Sequence, residues 1–334
     1  MNSARTHIGV DVGKDWLDIC YPDGQKEHVR NIKSCRTKLI KKAMKLDAIV
    51  SFEATGPYEE PLAEECLAKG VKAVRLDAWG ARQYAKSQGF LEKTDKIDCE
   101  MIRDYAGSLR ESRLHYVKPR SEAQKRLKKA IGVRKNLQKA KSIVFNQLEH
   151  VRDPEIKKQI TSLLTKLEKE IDALESECDS AIAGDERMQK LYVSFQEMKG
   201  VGPCTARAML AHCPDIGEFT KGGIAKYCGV GPLENKSCTI VKKSKPKRGR
   251  ADLKQALHMA AVNASRSNHV LRPIYQRLLA NGKDKMVALQ AVARHIAITL
   301  NTIAKYPDFK LEQDPKEVEH QAKKRNPGRS RKVK

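Results

Sequence analysis

The sequence predicts an α/β domain over residues 1–115 followed by a chain that is mostly helical. Three observations carry this. Short apolar runs fill the first part, two of them flanking a helical stretch. Beyond Pro119 the apolar residues recur instead at three- and four-residue spacing, the period of a helix. The chain has 334 residues, about twice the usual allowance for one domain, so two or more domains are expected.

The elements follow in order. His7–Val12 (HIGVDV) and residues 16–21 (WLDICY) alternate and read as strands. Pro22-Asp23-Gly24 is turn chemistry, so a hairpin is expected there. Residues 47–53 (DAIVSFE) form an apolar run that ends at Ala54-Thr55-Gly56-Pro57. Residues 57–69 carry Leu62, Ala63, Cys66 and Leu67 at helical spacing, Gly70 stops them, and residues 71–76 (VKAVRL) return to a strand. Strand, helix and strand within about 30 residues make a βαβ unit. Residues 94–109 read as a helix with Ile97, Met101, Ile102, Tyr105 and Ala106 on one face.

Between residues 116 and 184 the chain turns basic and helical. Residues 118–141 hold ten Lys or Arg and one acid, and Leu127, Ile131, Leu137, Val144, Leu148 and Val151 are helically spaced. After Asp153-Pro154 the positions Ile156, Ile160, Leu163, Leu167, Ile171, Leu174 and Cys178 repeat in a 4-3-4-4-3-4 pattern. That pattern suits a helical hairpin or a dimerising coiled coil. One long helix packed on its own chain is the plainer alternative.

Residues 185–305 form a third section. Its turn Met198-Lys-Gly-Val-Gly-Pro203 precedes an apolar helix and resembles a helix-hairpin-helix element. Its amides could hold a DNA phosphate at a helix N-terminus, or serve only as an interhelical turn. Residues 224–230 lead to Gly231-Pro232, and residues 251–263 and 285–303 read as Ala-rich helices. Residues 306–334 end in a basic tail, with seven basic and no acidic residues in the last twelve, and disorder is expected there until nucleic acid binds.

Charge narrows the function. With 65 Lys and Arg against 41 Asp and Glu the net charge is +24, which points to a polyanion partner, most simply nucleic acid. Basic runs at 118–141, 242–250 and 323–334 add to this. Membrane association is not expected: no apolar run is long enough to span a bilayer, and the first residues carry no secretory apolar region. The nine Cys are scattered without a C-x-x-C pair, which argues against a zinc knuckle and suits a reducing cytoplasm.

Carboxylates mark the candidate chemistry. Asp11 ends the first strand, Glu53 ends another before a Gly-Pro turn, and Asp95 and Asp98 stand three apart near a helix start. Four acids converging in so basic a chain would call for cations, and hard cations such as Mg²⁺ take oxygen ligands. The residues alone leave other readings open. Asp95 and Asp98 also suit the helix dipole, Thr94 or Asp95 an N-cap, and Glu53 a solvated strand end. Asp15, Asp18, Asp77 and Asp104 have similar local standing, so spacing does not select the set.

The segment HIGVDVGKDWLDIC resembles the first strand of a RuvC-like, ribonuclease-H-fold nuclease domain. With VSFEATGPY and LEKTDKIDCEMI it resembles the DEDD-type transposases of bacterial insertion sequences, insertion-sequence family one hundred and ten, which have pilin-gene DNA invertases as relatives. MKGVGPCTARAMLAHCPDIGEF, IAKYCGVGPLENKSC and RGRADLKQALHMAAVNASR resemble that family's C-terminal transposase domain. The resemblance spans roughly residues 5–305, in the family's order.

The resemblance implies that Asp11, Glu53, Asp95 and Asp98 bind Mg²⁺, or Mn²⁺ in its place. It implies a catalytic serine after a Gly-x-x-Pro motif. Gly229-Val-Gly-Pro232 is followed by Leu-Glu-Asn-Lys-Ser, so Ser237 is the match. The family's next residue is Gly and here it is Cys238; Ser244 is the fallback nucleophile. The implied activity is strand cleavage and exchange on donor and target double-stranded DNA through a phosphoserine link. A structured non-coding bridge RNA would select the sites, and the protein would act as a homodimer or homotetramer. With few aromatics for stacking, contacts dominated by phosphate are expected, with base choice left to pairing. The rivals are a site-specific invertase without an RNA guide, a junction-resolving nuclease in which water attacks and Ser237 is idle, and a basic nucleic-acid-binding protein without catalysis.

Overall fold

The computed structural model describes residues 6–53, 56, 58–89, 99–231, 236–237, 240–241 and 250–309. The chain divides into two compact units, Met1–Pro119 and Arg120–Lys334.

The first unit is a mixed sheet of five strands: β1 (His7–Val12), β2 (Trp16–Cys20), β3 (Lys26–Arg30), β4 (Ile49–Glu53) and β5 (Ala73–Leu76). Their order is β3-β2-β1-β4-β5. β1, β4 and β5 run parallel, while β2 is antiparallel to both of its neighbours. Pro22-Asp23-Gly24 turns β2 into β3, with Gly24 at φ +86° and its N–H donating to the Tyr21 carbonyl. Four helices accompany the sheet: α1 (Lys33–Lys45), α2 (Glu60–Ala68), α3 (Ala78–Ser87) and α4 (Cys99–Ser108). The expected βαβ unit is β4-α2-β5.

Alternation along the strands decides the layers. Ile8, Val10, Val12, Val50, Phe52 and Ala73 point to one side and meet Leu39, Ile40 and Ala43 of α1 and Leu62, Ala63 and Cys66 of α2 in one core. Ile49, Val74 and Leu76 point to the other side, onto Ile102 and Ala106 of α4. His7, Gly9, Asp11, Ser51 and Glu53 therefore share the face that α4 covers. The expected helix over 94–109 is seen as α4, and its residues before Cys99 lie outside the described residues. The sequence pattern does not single out α1, because its buried stripe is only Leu39, Ile40 and Ala43 set among lysines. The same holds for α3, whose buried positions are Gly80, Ala81 and Ala85.

Gly9 sets how closely α4 approaches the sheet. A Cβ there would stand 1.9 Å from the Cys99 carbonyl oxygen and 2.6 Å from the Arg103 amide nitrogen. Both are backbone atoms, so neither can swing aside. Gly9→Ala is expected to push α4 off β1 and to cost about 1–3 kcal/mol, the usual range for overpacking. A thermal melt should show the loss; an unchanged midpoint would mean that α4 does not rest on β1 as described.

The second unit contains α5 (Glu122–Leu148), α6 (Pro154–Ala183), α7 (Glu186–Gln196), α8 (Pro203–His212), α9 (Lys221–Tyr227), the short strands β6 (Lys236–Ser237) and β7 (Ile240–Val241), α10 (Ala251–Ser267), α11 (Leu271–Ala280) and α12 (Lys285–Lys305). A capping box starts α5: Ser121 Oγ accepts from the Gln124 amide and Gln124 Oε1 from the Ser121 amide. Asp153-Pro154 is the N-cap and first residue of α6, with the Asp153 carboxylate accepting from the amides of Glu155 and Ile156.

Of the readings of the 4-3 spacing, the helical hairpin is the one observed. Arg126 pairs with Glu177, Arg134 with Glu175 and Lys141 with Glu168, so partner numbers fall along α6 as they rise along α5. The two helices are antiparallel neighbours in one chain. Leu127, Ala130, Cys178, Ala181 and Ile182 root the hairpin in the core formed by α7 to α12. Toward the tip apolar residues come to the surface, among them Ile143, Phe145, Ile156 and Leu163.

Ala261 and Ala264 of α10 and Val292, Ile296 and Leu300 of α12 stand at the centre of that core. α12 is long and apolar enough to cross a membrane by length and composition, and more than half of its most apolar stretch is buried inside the protein. No disulfide forms among the described residues, and six of their eight cysteines are buried as small apolar side chains.

Candidate active site

The site begins with strand register. Val10 of β1 pairs with Phe52 of β4, so the next step sets Asp11 beside Glu53 at the carboxyl ends of adjacent parallel strands. Neighbouring strands lie about 4.8 Å apart, close enough for both carboxylates to reach one cation. Burial first, then the charge of Asp11, then that of Asp77, push the Glu53 carboxyl above its usual range, and Arg82 opposes them. Such repulsion at the edge of a packed sheet is what a divalent ion would relieve.

Several other acids near this edge are engaged by neighbours, as Asp11 is too. Asp18 faces Asp11 across β1 and β2, and its Oδ1 lies 2.6 Å from His28 Nδ1. Asp77 follows β5 and caps α3, its Oδ1 accepting from the Gly80 amide at 3.0 Å. Asp104 accepts from Arg103 Nε at 2.7 Å. Asp15 lies in the exposed turn between β1 and β2. Register sets Asp11 and Glu53 side by side, an adjacency that spacing along the chain does not reveal.

Asp95 and Asp98 lie outside the described residues, as do Cys238 and Ser244. The residue after Asp98 is described: Cys99 stands over Gly9, two residues from Asp11 and on the same face. Among the described residues no group of three His, Cys, Asp or Glu side chains is placed to hold a metal ion. Two of the four expected ligands are in that set.

Ser237 lies in the second unit, on β6, with Ser237 paired to Ile240 of β7 in an antiparallel hairpin. The foot of this segment is tied on both sides. Before it, Tyr227 Oη donates to the His212 carbonyl at 2.6 Å. After it, Arg250 Nη1 donates to the same carbonyl at 3.0 Å, and its guanidinium lies 4.2 Å from the Tyr227 ring centroid. The sequence counted Arg250 only as charge in the run 242–250. A signal was present, since Arg250 occupies the N-cap of α10, where Ser, Thr, Asn or Asp would be usual.

His212 is itself unusual. Its side chain is 11% exposed, its Nε2 lies 3.9 Å from Asp252 Oδ2, and Asp252 pairs with Lys135. Burial, with Arg250, Lys128 and Arg120 nearby, pulls its pKa down to about 4 against the opposing charge of Asp252. The imidazole is neutral in the folded protein at neutral pH. An unfolded histidine takes up its proton near pH 6.5, so stability is full above that value and falls as pH drops toward about 4. The expected loss across this window is up to about 3 kcal/mol. Urea midpoints at pH 7 and pH 4.5 would measure it; His212→Gln should flatten the dependence, and an unchanged slope in that variant would rule His212 out as its source.

The glycine turn before α8 has a packing reason. Gly200 has φ +104°, and a Cβ there would stand 2.6 Å from the Ala264 side chain. Gly202, the N-cap of α8, makes no side-chain capping bond and has open space where a Cβ would be. The interhelical-turn reading thus accounts for Gly200, while Gly202 leaves room for a phosphate.

Comparison with known proteins covers both units. A family model described as "Transposase" (DEDD, IS110 type) matches residues 8–153. A second, described as "Transposase IS116/IS110/IS902 family", matches residues 193–276. The pilin gene-inverting proteins of Moraxella lacunata and Moraxella bovis are each 23% identical over 319 residues, covering 88% of this chain and 94% of theirs. An insertion element IS110 protein of Streptomyces coelicolor is 28% identical over 137 residues, 40% of this chain and 33% of that protein.

Proposed function

The chain belongs to the IS110 family of transposases and is a DNA recombinase, and on that premise we propose that it moves an insertion sequence by Mg²⁺-dependent cleavage and exchange through a serine-DNA ester, guided by a structured RNA. The observation that carries the catalytic reading is the β1–β4 register, which sets Asp11 beside Glu53. The mixed sheet is compatible with a RuvC-like fold, and Asp95 and Asp98 are the remaining acids of the proposed set.

In this reading Ser237 Oγ attacks the phosphorus of a DNA phosphodiester. Its proton passes to a base or to water, and the displaced sugar oxygen leaves as a hydroxyl. The phosphoserine ester conserves the bond, so a hydroxyl of the new partner strand can displace Ser237 without ATP. Mg²⁺, when bound, supplies positive charge to the crowded phosphorane-like state. Asp11 and Glu53 would hold it, and the ties at Tyr227, His212 and Arg250 would steady the segment that carries the nucleophile.

We assign residues 1–115 to the catalytic domain, 116–184 to a helical dimerisation region, 185–305 to the serine-bearing domain and 306–334 to a basic tail. A homodimer or homotetramer would join acids and serine into composite sites. The guide RNA draws support from the net charge of +24, larger than one duplex contact needs.

The second reading is site-specific inversion without a guide. The two pilin gene-inverting proteins, matched over 94% of their length, favour it. Purifying the protein expressed with its flanking DNA, and sequencing the RNA that survives a high-salt wash, separates the two. One discrete RNA from beside the gene supports guidance; its absence favours inversion.

A further inference from the structure

We infer that the groove between the outer half of α5 and the start of α10 binds single-stranded nucleic acid, with Phe145 stacking on an unpaired base and Lys139 and its neighbours holding phosphates. This rests on the nucleic-acid reading above and adds a specific place and strand form to it.

The groove has a volume of about 670 Å³ and is lined by Lys135, Lys139, Lys141, Phe145, Asn146 and Gln255, with two further polar residues and no carboxylate. Positions 135, 139, 142 and 146 recur at helical spacing, so the lining is one face of α5. From Lys135 to Asn146 that face runs about 16 Å. A strand rising about 3.4 Å per nucleotide would place roughly five nucleotides along it.

Charge complementarity selects the occupant. Lys139 is exposed, and the acid it acts on, Asp252, is already held by Lys135. Lys135 pairs with Asp252 and Lys141 with Glu168, but these side chains are partly exposed and such pairs contribute only about 0–1 kcal/mol, so phosphate can compete for both. Phe145 is 52% exposed within this basic lining, an apolar ring with no core to join. Asn146 and Gln255 flank it with amides suited to base edges. Stacking needs a base out of its duplex, which favours a single strand over paired DNA. The groove also meets α10 at Asp252, two residues beyond Arg250, where the chain returns from the segment carrying Ser237.

The test uses the full chain and fluorescence anisotropy with three probes of roughly twelve nucleotides, oligo-U RNA, oligo-dT and a duplex, at several salt concentrations. Phe145→Ala should weaken both single strands about tenfold and the duplex less than about twofold, while Phe145→Tyr restores binding. Lys139→Ala should lower the salt slope on single strands by about one. The stronger of the two single strands names the polymer. If Phe145→Ala and Lys139→Ala bind as wild type does, or lose the duplex equally, the groove is not the site. If wild type binds none of the probes, the nucleic-acid reading itself fails.

Discussion

Ser237→Ala is expected to abolish strand exchange while leaving the fold and nucleic-acid binding intact. The serine sits in a two-strand hairpin whose pairing uses backbone groups, so alanine keeps the register with Ile240. Only the hydroxyl is lost. If Ser237 is the nucleophile, the recombination rate should fall by at least about 10⁴-fold, the scale seen when a nucleophile is removed. An SDS-stable protein–DNA adduct should form with wild type and vanish in the variant, and peptide mapping should put the link at Ser237. Recombination at near wild-type rate in Ser237→Ala would end the covalent-serine mechanism. Cut DNA without an adduct from wild type would instead indicate a nuclease in which water attacks.

Asp11→Asn should remove metal-dependent cleavage, with a loss of similar size, because the amide removes a charge from the proposed metal site at the sheet edge. Glu53→Gln carries a second, less obvious expectation. Burial and the nearness of Asp11 hold the Glu53 carboxyl above its usual range, so its ionised form disfavours the metal-free fold. The folded protein takes this proton more readily than the unfolded chain, so stability falls as pH rises from the usual carboxylate range through the raised folded value. Replacing the charge should therefore stabilise the metal-free protein at neutral pH, a modest gain because the carboxylate is only half buried and Arg82 opposes the shift. Mg²⁺ should raise the melting temperature of wild type and not of Glu53→Gln. Unimpaired cleavage in both variants would mean that another acid set does the chemistry.

These two expectations differ in how much of them can be read along the chain. The first strand, the hairpin turn at Pro22-Asp23-Gly24 and the βαβ unit are legible because alternation and turn chemistry act over a few residues. The break at Asp153-Pro154 is legible too, but the 4-3 spacing leaves the hairpin one of several readings, and two of its positions, Ile156 and Leu163, are exposed. α1 and α3 escape, because each buries a stripe too short to stand out in a polar stretch. Among the acids, Asp11 stands out in the sequence only by its apolar strand, and Asp15, Asp18, Asp77 and Asp104 have a local standing similar to the proposed set. The adjacency of Asp11 and Glu53, the pairing of Asp18 with His28 and the capping of Gly80 by Asp77 are visible only in three dimensions.

Local pattern was thus enough to define many of the element types, the basic character and the positions that resemble a known family. It did so because periodicity, capping and composition are properties of neighbours along the chain. Tertiary structure alone decided that Asp11 lies beside Glu53, that Gly9 admits α4 and that Arg250 and Tyr227 meet over the carbonyl of His212. Strand register and helix approach are relations between segments 15 to 90 residues apart, set by which buried faces fit together, and no window along the sequence contains both partners.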